Sequence, residues 1–234
     1  MPTTPKDAAE RYQTIYTRLA EVYGEPQRQR YLPPVDQLVN TILSQQTTSA
    51  NRQRAYEALK EQFEDWEAVM NAGLSDVREA IRPAGLANQK APRIQNALRF
   101  LMRERGELSL EFLADRPVSE GKKWLTQIKG VGPKTASIIL LFTFGLPAFP
   151  VDTHVHRVTR RLGLIGTKVT ADKAHEILEN IAEPDRYYAF HVNLIRHGRE
   201  ICQARTPKCE ICVLQDCCDY YQGRGDWRPE TRLC

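Results

Sequence analysis

The chain has 234 residues, 41% of them hydrophobic and 26% charged, with a formal net charge of +4. That is enough for one large domain or two smaller ones with a real core. The apolar run at 138–144 falls far short of the ~20 residues that span a bilayer. The N-terminus carries Asp7 and Glu10 without an apolar stretch, so no targeting peptide is read and a cytoplasmic protein is expected. Mild basicity permits a nucleic-acid partner without arguing for one.

Helical spacing runs through Tyr12, Ile15, Tyr16, Leu19 and Val22, and Gly24 ends it. After Pro33 and Pro34, positions 35–46 place Val35, Leu38, Val39, Ile42 and Leu43 on one face. Thr48 and Ser49 have the chemistry of helix caps for a segment through Ala55, Leu59 and Phe63. Short helices are expected at 66–71 and 76–81. A Pro/Gly turn at 82–91 then leads into a helix through Ile94, Leu98 and Leu101, and a further short helix precedes Pro117. Helices at 121–128 and from Pro133 onward flank a glycine turn, and 152–162, 171–181 and 188–197 are helical too. No alternating strand pattern occurs, so the fold class is all-α.

The turn "KGVGPKTA" needs its glycines for backbone reasons, since a left-handed or very close turn carries no steric cost there. Proline suits the first position of the following helix. The free N–H groups of that first turn, with the positive dipole end behind them, make an anion site, with Gly130, Val131 and Gly132 as the DNA-contact candidates of the turn before it; the side chains of Leu125, Ile128 and Val131 are expected to pack. The anion site suits a DNA phosphate and reads no base. A plain helix–helix corner is the competing explanation of the turn alone.

The six cysteines all fall at or after position 202. Cys202, Cys209, Cys212 and Cys218 form a C-x6-C-x2-C-x5-C pattern, the donor set of either a four-cysteine zinc site or a [4Fe–4S] cluster. One close pair with looser single cysteines on either side, all within 17 residues, favours the cluster. Chemistry does not choose between Cys217 and Cys218; spacing selects Cys218 and leaves Cys217 and Cys234 as bystanders. The loop between the first two ligands carries Arg205 and Lys208, cations able to meet phosphates.

Taken together, "GVGPKTA", "PVDTHVHRV" and the cysteine spacing resemble the endonuclease III family, DNA glycosylases of the helix-hairpin-helix superfamily with an iron-sulfur cluster. The likeness runs from about residue 10 to Cys218. It implies a six-helix barrel domain at 33–146, with the helix-hairpin-helix at about 121–144. A discontinuous helical domain of 1–32 and 147–234 would carry the [4Fe–4S] cluster, and DNA would bind in the cleft between them. The family's catalytic lysine falls on Lys134 and its catalytic aspartate on Asp152. Its duplex-probing residues fall on Gln46 and Leu86, and His154 would line the cleft. Gln45 and Ser49 depart from the family's more usual Ala and Asp, close to the probing loop.

The chemistry so implied begins with a neutral Lys134 amine attacking C1′ of a flipped nucleotide. It requires a depressed amine pKa, for which a helix N-terminus and partial burial are the expected causes. Asp152 would cap its helix and steady the cationic sugar. The partner is double-stranded DNA with damaged bases or abasic sites, and the protein is expected to act as a monomer. The rival readings are an adenine-mismatch glycosylase of the related branch, which usually lacks this lysine, and a non-catalytic DNA-binding module.

Overall fold

The computed structural model describes residues 5–28 and 32–224; Cys234 lies outside them. Among the described residues there are helices and turns and no strand. The chain divides into two compact units, 30–146 and a discontinuous one made of 1–29 and 147–234.

Within 30–146 the organising element is α2 (Pro34–Leu43), in which every residue is buried. Leu38, Val39, Ile42 and Leu43 are fully enclosed. An acidic side chain on such a helix must be satisfied internally. Asp36 accepts the Tyr56 hydroxyl at 2.5 Å and the Trp66 indole N–H at 2.9 Å, and pairs with Lys60 at 3.5 Å. These partners belong to α3 (Ser49–Gln62) and α4 (Trp66–Asn71). Thr48 caps α3 by accepting the Asn51 N–H, and Asp65 caps α4 by accepting that of Ala68. Next come α5 (Leu74–Ala80) and the long α6 (Ala87–Arg105). From α6, Gln95 donates to the carbonyls of Val69 and Ala72 and Arg99 donates to that of Met70. The Val69 and Met70 carbonyls, orphaned at the end of α4, are thereby satisfied. The unit closes with α7 (Val118–Leu125) and α8 (Pro133–Ile138).

Several boundaries differ from the sequence expectation, each for a local reason. The helix expected over 35–46 stops at Leu43, because Gln46 takes a left-handed backbone conformation (φ 50°). The segment before Pro117 forms only a three-residue 3-10 turn, Glu111–Leu113. The helix from Pro133 is α-helical only to Ile138 and then widens into a π-helical stretch, Ile139–Phe144.

In the other unit, α1 (Pro5–Tyr23) lays Tyr12, Ile15, Tyr16 and Leu19 against α11 (Tyr187–Glu200). The Tyr12 ring meets Phe190 edge-on at 5.1 Å, and Phe149 joins the same cluster, so large aromatic areas fill this core. Around it stand α9 (Thr153–Arg161), α10 (Ala171–Ile181) and the short α12 (Asp219–Gln222), which the periodicity does not announce. Two links tie the start of the chain to its distant end. Arg11 donates to the Leu162 carbonyl and pairs with Asp219 at 2.8 Å, and Asn193 donates to the Gly24 carbonyl.

Candidate nucleic-acid interface and cysteine centre

The hairpin is built by α7, the turn and α8. Leu125, Ile128 and Val131 are buried beneath it. Gly130 has φ +93°, and a Cβ there would stand 3.0 Å from Arg93 Cδ. The backbone angle therefore demands glycine. Gly132 caps α8 in an extended conformation and Pro133 opens it. The first N–H groups of α8 have no partners within the helix. Two expectations are corrected here. Val131 does not contribute a free N–H, because it donates to the Ile128 carbonyl at 2.9 Å and its side chain is buried; its role is packing. Lys134 is exposed rather than partly buried, because the turn carries the first helical turn of α8 outward.

The duplex-probing candidates share a backbone peculiarity. Gln46 and Leu86 are the two non-glycine residues with positive φ among the described residues, both at 50°. That conformation costs a side-chain-bearing residue roughly 1–2 kcal/mol and persists only where the surroundings enforce it. Gln46 is exposed and so is Leu86, at 40%. Gln45, noted from sequence only as a departure, links their region to the hairpin. Its Nε2 donates to the Gly130 carbonyl at 3.2 Å, while Arg93 donates to its Oε1 at 2.9 Å. Periodicity does not find such a bridge, because its three residues are far apart in sequence.

Asp152 is held by a strap whose backbone is pinned from two helices. The Phe149 N–H donates to Glu179 Oε1 at 2.7 Å and its carbonyl accepts from His175 Nδ1 at 2.8 Å; both partners lie on α10. On α11, His191 Nδ1 donates to the Pro150 carbonyl at 2.9 Å. Asp152 then caps α9, accepting the Val155 N–H at 2.8 Å through Oδ1. His154, half-buried, accepts from Arg157 at 3.1 Å. Arg157 in turn donates to the carbonyls of Gly198 and Cys202.

Cys202, Cys209, Cys212 and Cys218 line one cavity, walled also by Arg161, His197, Ile201 and Tyr220; Cys217 does not line it. Cys217 instead faces the Leu214 carbonyl at 3.4 Å. Cys202, Cys212 and Cys218 are free thiols. Among the described residues no group of three or more His, Cys, Asp or Glu side chains is already arranged to hold a metal ion. Burial pushes the Cys212 thiol up to about 11 and that of Cys218 up to about 12, so both are protonated at neutral pH.

The cavity's other walls suit sulfur. Arg161 donates to Cys202 Sγ at 3.3 Å and to the carbonyls of Gln203 and Ala204, and its guanidinium lies over the Tyr220 ring at 4.5 Å. Burial pushes His197 down to about 4, so it is neutral at pH 7. Its Nδ1 stands 3.3 Å from the Tyr23 hydroxyl and its Nε2 3.7 Å from Cys212 Sγ. The Tyr23 hydroxyl donating to Nδ1 leaves an Nε2–H directed at sulfur. No sequence motif singles out His197 or Arg161. Their signal is only that α9 and α11 carry basic residues on the faces turned to the cysteine loop. Arg205 and Lys208 are exposed on that loop, which is closed by the Lys208 N–H donating to the Ile201 carbonyl at 3.0 Å.

Residues 39–184 match the family model described as HhH-GPD superfamily base excision DNA repair protein. The chain belongs to this superfamily. An endonuclease III of Thermotoga maritima is 32% identical over 207 residues, 88% of this chain and 92% of its own length. An Arabidopsis thaliana relative named for DNA glycosylase activity is 38% identical over 188 residues; the match takes in 78% of this chain and only 64% of that protein. Among solved structures, a trapped endonuclease III–DNA covalent intermediate superposes with a TM-score of 0.77 at 26% identity, over 92% of this chain and 98% of the other. The all-α glycosylase fold expected from sequence is thus the fold observed, and the HhH-GPD protein is a base-excision DNA glycosylase of the endonuclease III type. No helix among the described residues is long and apolar enough to cross a membrane.

Proposed function

We propose that the protein removes oxidised pyrimidines from duplex DNA and then cleaves the abasic strand, with Lys134 as nucleophile. The observation that carries this reading is an exposed amine in the first turn of α8, directly after a glycine turn whose N–H groups suit a phosphate. A lysine is the group that converts base removal into strand cleavage. Its amine forms a bond to C1′ as the base departs, and ring opening gives an imine. Loss of the C2′ proton then breaks the bond to the 3′ oxygen. Asp152 needs one oxygen for its cap, and its charge steadies the cationic sugar. Gln46 would hydrogen-bond the base left without a partner, and Leu86 would wedge the stack while the damaged nucleotide is out, a few kcal/mol of unstacking being the cost.

A [4Fe–4S] cluster is proposed in the cavity lined by Cys202, Cys209, Cys212 and Cys218, with donors from Arg161 and His197 facing two of the four sulfurs. Bound there, it would supply four iron–sulfur bonds that cross-link the loop presenting Arg205 and Lys208 to phosphates. Together with Gly130, Gly132 and His154, these complete the proposed DNA contacts, made by a monomer.

Borohydride trapping on duplexes carrying thymine glycol, an abasic site or an A·G mismatch tests the reading. Adducts with the first two support it. Base release from the mismatch without an adduct assigns the protein to the adenine branch and overturns it.

A further inference from the structure

Lys90 is a charged side chain fully enclosed in the interior, with 0% of its surface exposed. The reaction outlined above makes no use of it. Its ammonium donates to the Leu43 carbonyl and to the Ala84 carbonyl, each at 2.8 Å. Leu43 is the last residue of α2, and Ala84 the last of the 3-10 turn Arg82–Ala84. The cation therefore sits where the carbonyl ends of two helical segments converge, the end of a helix that favours positive charge. Burying an ammonium is costly unless it is hydrogen-bonded, and charge-assisted bonds of this kind are among the stronger ones. A methionine or leucine would fill the same interior without that cost, so the charge is there for what it connects.

What it connects is specific. Gln46 follows Leu43 by three residues and Leu86 follows Ala84 by two, and these are the two side-chain-bearing residues in the left-handed conformation. Neither Gln46 nor Leu86 sits in a regular helix that would hold its angle. The helices on which their loops depend are joined through Lys90, and the Gln46 loop is joined again to the hairpin through Gln45.

We propose that Lys90 is a positioning residue: its buried ammonium ties the Gln46 loop and the Leu86 loop into one rigid probe, so that both residues enter a duplex in register. The proposal rests on Gln46 and Leu86 being the probing residues, as in the function above. Lys90 itself touches neither substrate nor the reacting atoms.

The test uses the full chain with Lys90→Met, of similar length and apolar. Amide hydrogen exchange is followed in the free protein, and binding is compared between a duplex with one thymine glycol and the same duplex undamaged. Exchange should rise at 44–48 and at 85–88 together, with the later part of α6 unchanged. The ratio of lesion to undamaged affinity should fall by about a hundredfold, the scale of an ångström-level misplacement, while undamaged-duplex binding stays within about twofold of wild type. Loss of thermal stability with an unchanged affinity ratio would reduce Lys90 to a purely structural residue and overturn the proposal, as would faster exchange at one loop only. Lys90→Gln keeps an N–H donor but is too short to span both carbonyls, and it repeats the test if Lys90→Met does not fold. Borohydride trapping of the wild type on abasic duplex reports separately on the lysine chemistry, so failure of that chemistry is not confused with failure of the loop tie.

Discussion

Asp152 accepts the Val155 N–H through Oδ1 at 2.8 Å and so caps α9. A cap and an electrostatic catalyst make different demands on the same side chain, and substitution separates them. Asn caps a helix about as well as Asp, so Asp152→Asn should unfold within about 0.5 kcal/mol of wild type. Its base-release rate should drop by roughly 10²–10³, the scale of losing one stabiliser of developing charge. Asp152→Ala should lose the activity and in addition about 1 kcal/mol of stability. Thermal unfolding and single-turnover kinetics on the three proteins check this; an active Asp152→Asn would leave only the cap.

Leu86 holds a left-handed backbone conformation with its side chain 40% exposed. Replacing it with glycine relieves strain of about 1–2 kcal/mol but gives back roughly 0.5–1 kcal/mol through chain entropy. Leu86→Gly should therefore be as stable as wild type or up to about 1.5 kcal/mol more so. Excision of a stacked lesion should fall at least about tenfold for want of the wedge. Denaturant unfolding and excision rates measured side by side would show the two effects moving apart.

For the cysteine centre, protein prepared anaerobically with a reductant should be brown and carry about four irons per chain. Cys209→Ser should lose the iron and Cys217→Ser should retain it, because only the former lines the cavity. Stoichiometric zinc without iron in the anaerobic wild type would assign the cavity to the other metal.

Lys208 is exposed on the loop that the cluster would hold. If it meets a phosphate, Lys208→Ala should weaken binding about equally for all sequences and make the salt dependence shallower by about one unit. Titrations at several salt concentrations measure the slope directly, and an unchanged slope removes Lys208 from the contacts.

What the sequence makes legible divides along physical lines. Elements whose apolar residues recur at helical spacing, such as those through Tyr12–Leu19 and Leu38–Leu43, are read correctly because burial alone dictates them. The ends are harder. The stop after Leu43 depends on a left-handed Gln46 that neither Gly nor Pro announces, and the π-helical stretch after Ile138 leaves no mark in composition. Lys134, Asp152 and the cysteines are visible because their chemistry is spelled in local motifs. Lys90, Gln45, Arg161 and His197 are not, because each acts through hydrogen bonds to partners distant in sequence or to carbonyls that any residue could supply.

The most direct test of the central claim is borohydride trapping on abasic duplex with wild type and Lys134→Gln. An amide cannot form an imine, so the variant should give no covalent adduct and no strand cleavage. Its affinity for damaged DNA should stay close to wild type, since one cation is lost from a broad interface. An adduct formed by Lys134→Gln at the wild-type rate would mean that another amine is the nucleophile, and would contradict the account.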